Sequence, residues 1–447
     1  MLAALATLAC AMALAPEPGP GILAVVLCLS LSRSQLDRDL RGRLEAAVTL
    51  PAVSLAALGV AMLLRQAPWL GAALFTAALS VAIWMRRFGS PVRRAGALIA
   101  LPFVVILTTP YVPTTRVSHA MTLALPVIIA LLALFWVSVF HGLGRRFGLL
   151  VELRVPAPSA DVSKAGASSS LRPIASTRMA VQMAIALAAS FIVGYGFFNE
   201  RWAWIVLTAY IVGSGNQGRL DVAYKSVLRV AGAGVGTVSA LALTLAAPST
   251  GTGTVVMILF AVFLGLWLRP LGYAWWALFV TLALALLQGF EGQSAQAMLW
   301  LRLEEIVIGA VIGVAAAWFV WPVRSTDVLR RRIADALGVL ADALDPATGA
   351  RQPDEFDAAV DRAMSVMPAF RASRWLTRRV HRMQPADWLD ALDACRLPAL
   401  HLLETGESPA SVRRALGASR KALRDPRALG PALDDLRHAL PSPRPTA

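Results

Sequence analysis

The sequence has few charged residues and few cysteines for its length. Only 15% of its 447 residues are Asp, Glu, Lys or Arg, whereas 57% are hydrophobic. So small a charged fraction excludes an ordinary soluble protein of this size. The three cysteines, Cys10, Cys28 and Cys395, show no paired spacing, which argues against a disulfide framework and against a metal cluster. No metal or cofactor is therefore expected.

The charges that are present lie between apolar runs and in the last part of the chain. The formal net charge of +15 is a feature that nucleic-acid-binding proteins share. In a membrane protein, however, an excess of basic residues more often marks loops that stay on the cytoplasmic side. The expected partner is a lipid bilayer, and nucleic acid is not expected.

Apolar runs bounded by charge, Gly or Pro predict about twelve membrane spans. If the N-terminus is cytoplasmic, the inner connections contain 18 Lys or Arg and the outer connections contain three. This bias predicts that both termini are cytoplasmic. The runs cover residues 2–16, 21–32, 46–64, 69–85, 95–110 and 120–140, then 179–197, 202–214, 226–247, 254–268, 273–290 and 301–322.

Two patterns recur at an offset of 183 residues. An apolar run followed by Ser, Arg and Asp occurs at residues 22–43 and again, more strongly, at 205–229, while Trp84 is matched by Trp267. Two landmarks at one offset predict a duplicated unit of six spans. Because six is even, the two copies run in the same direction, as parallel repeats.

The composition changes twice along the chain, which divides it into five segments. A small-residue and polar stretch separates the halves, and amphipathic helical periodicity with abundant Arg and Asp begins after Pro322. The predicted fold is an all-α polytopic membrane protein with two parallel repeats and a C-terminal cytoplasmic helical domain, which contains helices at 327–345, 354–382, 386–405 and 408–424. The segments are a first membrane repeat (1–146), a cytoplasmic linker (147–178), a second membrane repeat (179–323), the cytoplasmic helical domain (324–440) and a disordered tail (441–447).

Three glycines, Gly213, Gly215 and Gly218, spell G-x-G-x-x-G. A dinucleotide site would need a preceding strand and a surrounding βαβ unit, and neither is indicated. We expect instead a break at the cytoplasmic end of a membrane helix, where glycine permits unusual backbone conformations.

The segments RMAVQMAIALAASFIVGY, NERWAWIVLTAYIVGSGNQGRLDVAYKSVLRVAGAGVG and LRLEEIVIGAVIG closely resemble the fusaric-acid-resistance family of bacterial inner-membrane proteins. The resemblance covers about residues 175–325 well. It implies an exporter of aromatic carboxylic acids in a bacterial inner membrane, and it extends distantly to plant aluminium-activated malate channels. Some family members are regarded as working with a periplasmic adaptor protein, but the linker here is shorter than the soluble insertions of longer relatives, which argues against an adaptor.

The resemblance also carries a set of polar positions onto this chain. Asp221, Lys225 and Arg229 recur every four residues, so they lie on one face of a helix and are candidates for contact with an anion. Alternatively, they are boundary residues that set topology and extend toward the headgroups. Trp204 and Tyr210 are candidates for stacking on an aromatic substrate. The full polar set is Asn216, Arg219, Asp221, Tyr224, Lys225 and Arg229.

A second group of ionisable residues lies near the outer end of the last span. Glu304 and Glu305, with Arg302, are candidates for proton coupling, because carboxylates inside a membrane segment usually face a partner or a wet cavity. Arg302 and Glu305 are three residues apart and alternatively neutralise one another. His119 occupies the position of Arg302 in the first repeat and is a further candidate for proton coupling, because histidine is the side chain that can titrate near neutrality. Alternatively, it is a structural histidine at the membrane interface.

Small residues at helical spacing predict close helix packing in the second half. They are Gly232, Gly234 and Gly236, and separately Gly309 and Gly313.

Taken together, these patterns predict a transporter that exports organic anions. An enzyme is not expected, because no His, Cys or carboxylate cluster has catalytic spacing. A passive anion channel and a non-transporting membrane scaffold or stress protein acting through its cytoplasmic domain remain as alternatives. The expected partners are the bilayer and a small organic anion, and assembly into a homo-oligomer is left open.

Overall fold

The computed structural model describes residues 2–15, 18–31, 40–88, 119–148, 175–198, 201–246, 252–290, 295–345, 353–377, 384–405 and 408–441, with a few positions between 92 and 107. Throughout these ranges the chain forms helices and turns without any strand, as an all-α protein requires. The helices of the apolar part are α1 (Leu2–Leu14), α2 (Pro18–Leu31), α3 (Leu40–Gln66), α4 (Pro68–Trp84), α5 (His119–Arg146), α6 (Ala175–Val193), α7 (Trp202–Gly213), α8 (Arg219–Ala246), α9 (Thr252–Leu268), α10 (Tyr273–Phe290) and α11 (Ala295–Phe319).

Among the described residues, five stretches of helix are long and apolar enough to cross a membrane, so the chain is a multi-pass membrane protein. They are Glu45–Gln66, Ala124–Arg146, Ala175–Phe198, Arg219–Leu243 and Gly253–Leu271. Five shorter apolar helices accompany them in the described ranges. Eleven of the twelve predicted runs coincide with one of the helices α1–α11, and the run at 95–110 lies mostly outside the described residues.

The chain divides into two compact units. The first contains Met1–Glu152, Arg172–Asn216 and Lys225–Pro322, and the second contains Leu153–Leu171, Gln217–Tyr224 and Val323–Ala447. Most of the predicted linker at 147–178 lies outside the described residues, but α6 already begins at Ala175, so the last residues of that segment are helical.

An aromatic core joins α4, from the N-terminal half of the first unit, to α6, with which its C-terminal half begins. Phe75 of α4 is fully buried and packs edge-on against Phe191 of α6, with ring centroids 5.6 Å apart. The hydroxyl of Tyr195, in the π-helical turn that ends α6, donates to the carbonyl of Pro68 at 3.3 Å. The described contacts between the halves are therefore mainly apolar.

In residues 202–319, glycines allow two pairs of parallel helices to pack closely. A Cβ on Gly309 would lie 2.5 Å from the carbonyl oxygen of Ile205, and one on Gly313 would lie 3.2 Å from Val212, so α11 and α7 run in the same direction. Gly232 and Gly236 approach the carbonyl oxygens of Ala274 and Leu278 equally closely, which makes α8 parallel to α10. Both directions agree with the predicted order of spans, in which each pair is separated by an even number of crossings.

The predicted packing role is confirmed for these four glycines. It is wrong for Gly234, because a Cβ at that position would meet no atom within 4 Å. Gly234 lies between the two packing positions in sequence, and helical periodicity turns it away from α10.

The second unit is a bundle of amphipathic helices around one apolar core. The expected single helix at 354–382 is wrong: it breaks at Ser365 and Val366, just before Pro368, whose ring disfavours a continuous helix. A last helix that the sequence reading did not separate begins after Asp425, whose carboxylate accepts from the amide of Arg427. The helices are α12 (Ser325–Ala343), α13 (Pro353–Met364), α14 (Met367–Thr377), α15 (Pro385–Thr405), α16 (Ala410–Ala422) and α17 (Pro426–Ala439).

Candidate functional site

The loop between α7 and α8 has the backbone that its glycines predict. Gly215 has a φ of 60° and Gly218 a φ of 117°, both in the region that side-chain-bearing residues rarely adopt. The Lys225 ammonium donates to the carbonyl of Gly215 at 3.2 Å. The amide of Gln217 donates to a carboxylate oxygen of Asp221 at 2.9 Å. The predicted break after α7 is confirmed.

The three residues of the predicted polar face have different environments. Asp221 belongs to the second compact unit and caps its own loop, whereas Lys225 belongs to the first and binds the loop backbone. Arg229 is 2% exposed, and its Nε has no hydrogen-bond partner in the part of the chain that the structure describes. Spacing of four residues aligns Cβ atoms, but eight residues extend about 12 Å along the axis, so the surroundings change.

Arg302 stacks on Trp204 inside the first unit. The guanidinium carbon lies 3.7 Å from the centroid of the indole ring, within the range of a cation–π contact. Arg302 is only 3% exposed, and neither of its terminal nitrogens, Nη1 and Nη2, has a hydrogen-bond partner among the described residues. The indole ring therefore covers the guanidinium while both terminal nitrogens keep their hydrogen-bonding capacity.

The close packing of α7 on α11 explains this stack. Gly309 brings the two backbones together at Ile205, one residue after Trp204. Arg302 precedes Gly309 by seven residues, or about two turns, and so lies on the same side of α11. Two glycine contacts thus place an arginine and a tryptophan that are far apart in the sequence against each other.

Glu305 has a partner besides the one that the sequence spacing suggests. Glu305 is 1% exposed, and its carboxylate lies 3.6 Å from the Nε of Arg201, the residue before α7. Arg302, one turn earlier on α11, lies against Trp204 and also attracts Glu305 electrostatically. Glu305 therefore lies between two arginines, one before α7 and one on α11.

These residues form a group with unbalanced charge, which we name the arginine cluster: Arg201, Arg229, Arg302 and Glu305, with the Trp204 ring. Arg229 and Arg302 are close enough to repel each other electrostatically. Three guanidinium groups and one carboxylate leave a formal excess of two positive charges. Burying charge without compensation is costly, particularly within an apolar membrane segment. The cluster is consequently suited to receive an anion.

The structure brings together Trp204, Arg229, Arg302 and Glu305 from the predicted site residues and leaves the others apart. Glu304 is exposed, which separates it from its neighbour Glu305. Tyr210 packs against the aromatic core. His119 begins α5, and its side chain lies outside the described residues.

The remaining predicted residues lie at the break before α8 and in its first turns. Asn216 is half-buried beside a small cavity, and its side-chain oxygen has no hydrogen-bond partner within the described ranges. Arg219 is exposed, and Tyr224 is half-buried.

Sequence reasoning missed two members of the site. Arg201 is one of the three basic residues of the predicted outer connections, and the sequence analysis gives it no other role. Tyr273, at the start of α10, lies beside both Arg229 and Arg269. The sequence signal for Arg201 was its position directly before the Trp-Ala-Trp segment, because a cation next to aromatic residues at a helix start can reach a charge on the adjoining helix.

Comparison with protein families finds one match. Residues 183–316 match the model of the family described as fusaric acid resistance protein-like. No curated protein and no solved structure matches the chain significantly. The matched range contains α7, α8 and all residues of the arginine cluster. Residues 183–316 of this membrane protein are therefore similar to the fusaric acid resistance protein-like family, and the arginine cluster lies within the matched range.

Proposed function

We propose that this chain is a membrane transporter that exports organic anions, with aromatic carboxylic acids as its substrates. The observation that carries the proposal is the excess positive charge of the buried arginine cluster within the range that matches the fusaric acid resistance protein-like family. The family takes its name from resistance to fusaric acid, which is itself an aromatic carboxylic acid. Transport rather than chemical conversion of the substrate is proposed.

Arg302 is the residue best placed to bind the carboxylate. A guanidinium group recognises a carboxylate through two parallel N–H···O hydrogen bonds, and Nη1 and Nη2 of Arg302 have no hydrogen-bond partner among the described residues. The Trp204 ring lies 3.7 Å from the guanidinium carbon and covers the group on that side. Arg229 adds a second positive charge, so the site favours an anion over a neutral acid.

The predicted topology supports a site within the membrane. In that topology α11 starts outside and α8 starts inside. Arg302 of α11 and Arg229 of α8 nevertheless lie close enough to repel each other electrostatically. A site shared by helices that enter from opposite sides then lies within the membrane, where transporters commonly bind their substrates.

The charges around Glu305 favour the membrane potential as the energy source. Glu305 faces Arg201 and Arg302, with Glu304 beside it in sequence, and its negative charge competes with a bound carboxylate. Protonation of Glu305 would remove that competition and strengthen anion binding, which argues against release by an incoming proton. When an anion leaves a cell with a negative interior, the membrane potential lowers its free energy by about 2.3 kcal/mol per charge per 100 mV.

The proposal places the protein in a bacterial inner membrane with both termini in the cytoplasm. The test is accumulation of labelled benzoate by cells that lack their own exporters. Wild type is compared with an empty vector, with Arg302→Gln, and with Arg146→Gln, which removes an exposed arginine at the end of α5.

We expect accumulation to fall with wild type and Arg146→Gln and to return to the vector level with Arg302→Gln. Equal accumulation in vector and wild-type cells would refute export of this class of acid. Efflux that is lost in Arg302→Gln but shows no acceleration by benzoate on the opposite side of the membrane would support a passive channel instead.

A further inference from the structure

The first turn of α8 belongs to the second compact unit, although the rest of the helix belongs to the first. Leu220 packs against the apolar core that α12–α17 form. The helix itself is continuous from Arg219 to Ala246. One helix is therefore shared between the C-terminal bundle and the part of the chain that carries the arginine cluster.

Two hydrogen bonds from the start of the C-terminal bundle cap this first turn. The amide of Arg219 donates to the carbonyl of Val323 at 3.1 Å, and the amide of Leu220 donates to the Ser325 hydroxyl at 2.9 Å. The first amides of an α-helix have no partner within the helix. Val323 and Ser325 supply that missing capping from a segment about 100 residues away in sequence.

The approach of Ser325 to the loop is close. A Cβ on Gly218 would lie 2.6 Å from the Ser325 hydroxyl oxygen and 2.9 Å from its Cα. Gly218 also has a φ of 117°. Both observations show that the loop and the start of α12 are fitted to each other without space for a side chain.

The C-terminal bundle holds the same turn at two further points. Ser365, at the break between α13 and α14, has its hydroxyl 3.3 Å from the Gln217 side-chain oxygen, which shares that donor with the Arg362 carbonyl at 2.7 Å. Arg332 of α12 attracts Asp221 electrostatically. The anchor of the first turn therefore involves α12 and the α13–α14 turn, and not only the adjoining residues 323–325.

We infer that the C-terminal bundle regulates anion transport by setting the position of α8. Between Arg219 and Arg229 the sequence contains neither Gly nor Pro, so this part of the helix transmits a displacement of its first turn without a natural point of bending. Arg229, ten residues after the anchored turn, is the α8 member of the arginine cluster. This inference rests on the proposed function, because it assigns the bundle control over that same site.

The test measures the coupling in two ways, of which only one depends on transport. Ser325→Ala removes the acceptor of the Leu220 amide, Ser325→Thr keeps a hydroxyl, and Ser411→Ala removes an exposed serine elsewhere in the bundle. Amide hydrogen exchange of residues 219–229 is measured in the purified full chain, and the KM and kcat for benzoate export are measured in proteoliposomes. Gln217→Ala, which removes the more distant of the two acceptors of the Ser365 hydroxyl, serves as a milder second variant.

In Ser325→Ala we expect amide hydrogen exchange to become about five-fold faster, which is the effect of losing one hydrogen bond. This acceleration should affect residues 219–224 and should also reach residues 225–229. The KM should change more than kcat, because Arg229 acts on binding, and Ser325→Thr should restore much of both values. Faster exchange that stops at residue 224, in Ser325→Ala and in Gln217→Ala, would overturn the inference. If wild type moves no benzoate, the proposed function fails by itself, and the reach of the exchange effect still decides whether α8 couples the bundle to Arg229.

Discussion

Replacing Glu305 by Gln tests the charge balance of the arginine cluster most sharply, because its neighbour Glu304 provides a matched control. Glu305 is 1% exposed and lies 3.6 Å from Arg201, whereas Glu304 is exposed on the same helix. Each substitution to Gln removes one negative charge and keeps the shape of the side chain. Only Glu305→Gln removes the sole carboxylate of the cluster.

The expected loss of stability follows from the burial of the pair. Breaking a buried ion pair typically costs 3–5 kcal/mol, and we expect about 3 kcal/mol because Arg201 remains accessible to water. An added carboxylate should recover much of this loss by supplying the missing negative charge. A ligand present at 100 times its Kd stabilises the folded state by about 2.7 kcal/mol.

The assay is thermal unfolding of the purified protein in detergent, with and without benzoate. Glu305→Gln should unfold at a lower temperature than Glu304→Gln and should gain more stability from benzoate than either Glu304→Gln or wild type. Chloride at the same ionic strength controls for screening. Equal unfolding temperatures for the two variants, or equal stabilisation by benzoate, would refute the reasoning that Glu305 offsets the buried arginines.

Three further predictions concern packing, a buried thiol and an ion-pair network. Gly309→Ala should destabilise the first unit by about 1–3 kcal/mol through overpacking, because its Cβ would lie 2.5 Å from the Ile205 carbonyl oxygen. Gly234→Ala, with open space at its Cβ, should change the unfolding temperature in detergent little. The reverse order of the two effects would contradict the parallel packing of α7 and α11. Burial raises the pKa of the Cys395 thiol from 9.0 to about 12. The stability that this group contributes is fully present below pH 9 and is lost as pH rises from 9 toward 12, because there the unfolded chain releases the proton and the folded chain keeps it. In a Cys10→Ala, Cys28→Ala background, the thiol should resist Ellman's reagent at pH 8 until denaturant is added, and rapid labelling of the native protein would contradict the burial. Arg396 forms ion pairs with Asp357 at 2.6 Å and with Asp361 at 2.8 Å, and these side chains are partly exposed. Arg396→Ala should therefore lower the free energy of unfolding, measured with denaturant, by no more than about 1 kcal/mol. A loss that persists in 1 M salt would show that more than the ion pairs was lost.

The helical framework could be predicted from the sequence, because apolar runs and their flanking charges report directly on membrane helices. The apolar run that begins at residue 226 illustrates the limit. It underestimates α8, which begins at Arg219, because the polar first turn pairs with the C-terminal bundle instead of entering an apolar environment. Local hydrophobicity does not record such a distant partner.

The arginine cluster was only partly predictable for a similar reason. Arg229, Arg302 and Glu305 stand out in sequence as charges within apolar helices, and Trp204 as an aromatic residue beside them. Their association depends on the close contact of Gly309 with Ile205, which joins segments about 100 residues apart. Glycine spacing predicts that a helix packs closely, but it does not identify the partner helix or the residue that an arginine will face.

The most direct test of the account is equilibrium binding of labelled benzoate to the purified protein, comparing wild type with Arg302→Gln and with the surface control Arg146→Gln. We predict saturable binding to wild type and to Arg146→Gln, and at least a ten-fold loss of affinity in Arg302→Gln while the protein stays folded. Binding to Arg302→Gln with the wild-type affinity would contradict the claim that the arginine cluster is the carboxylate site.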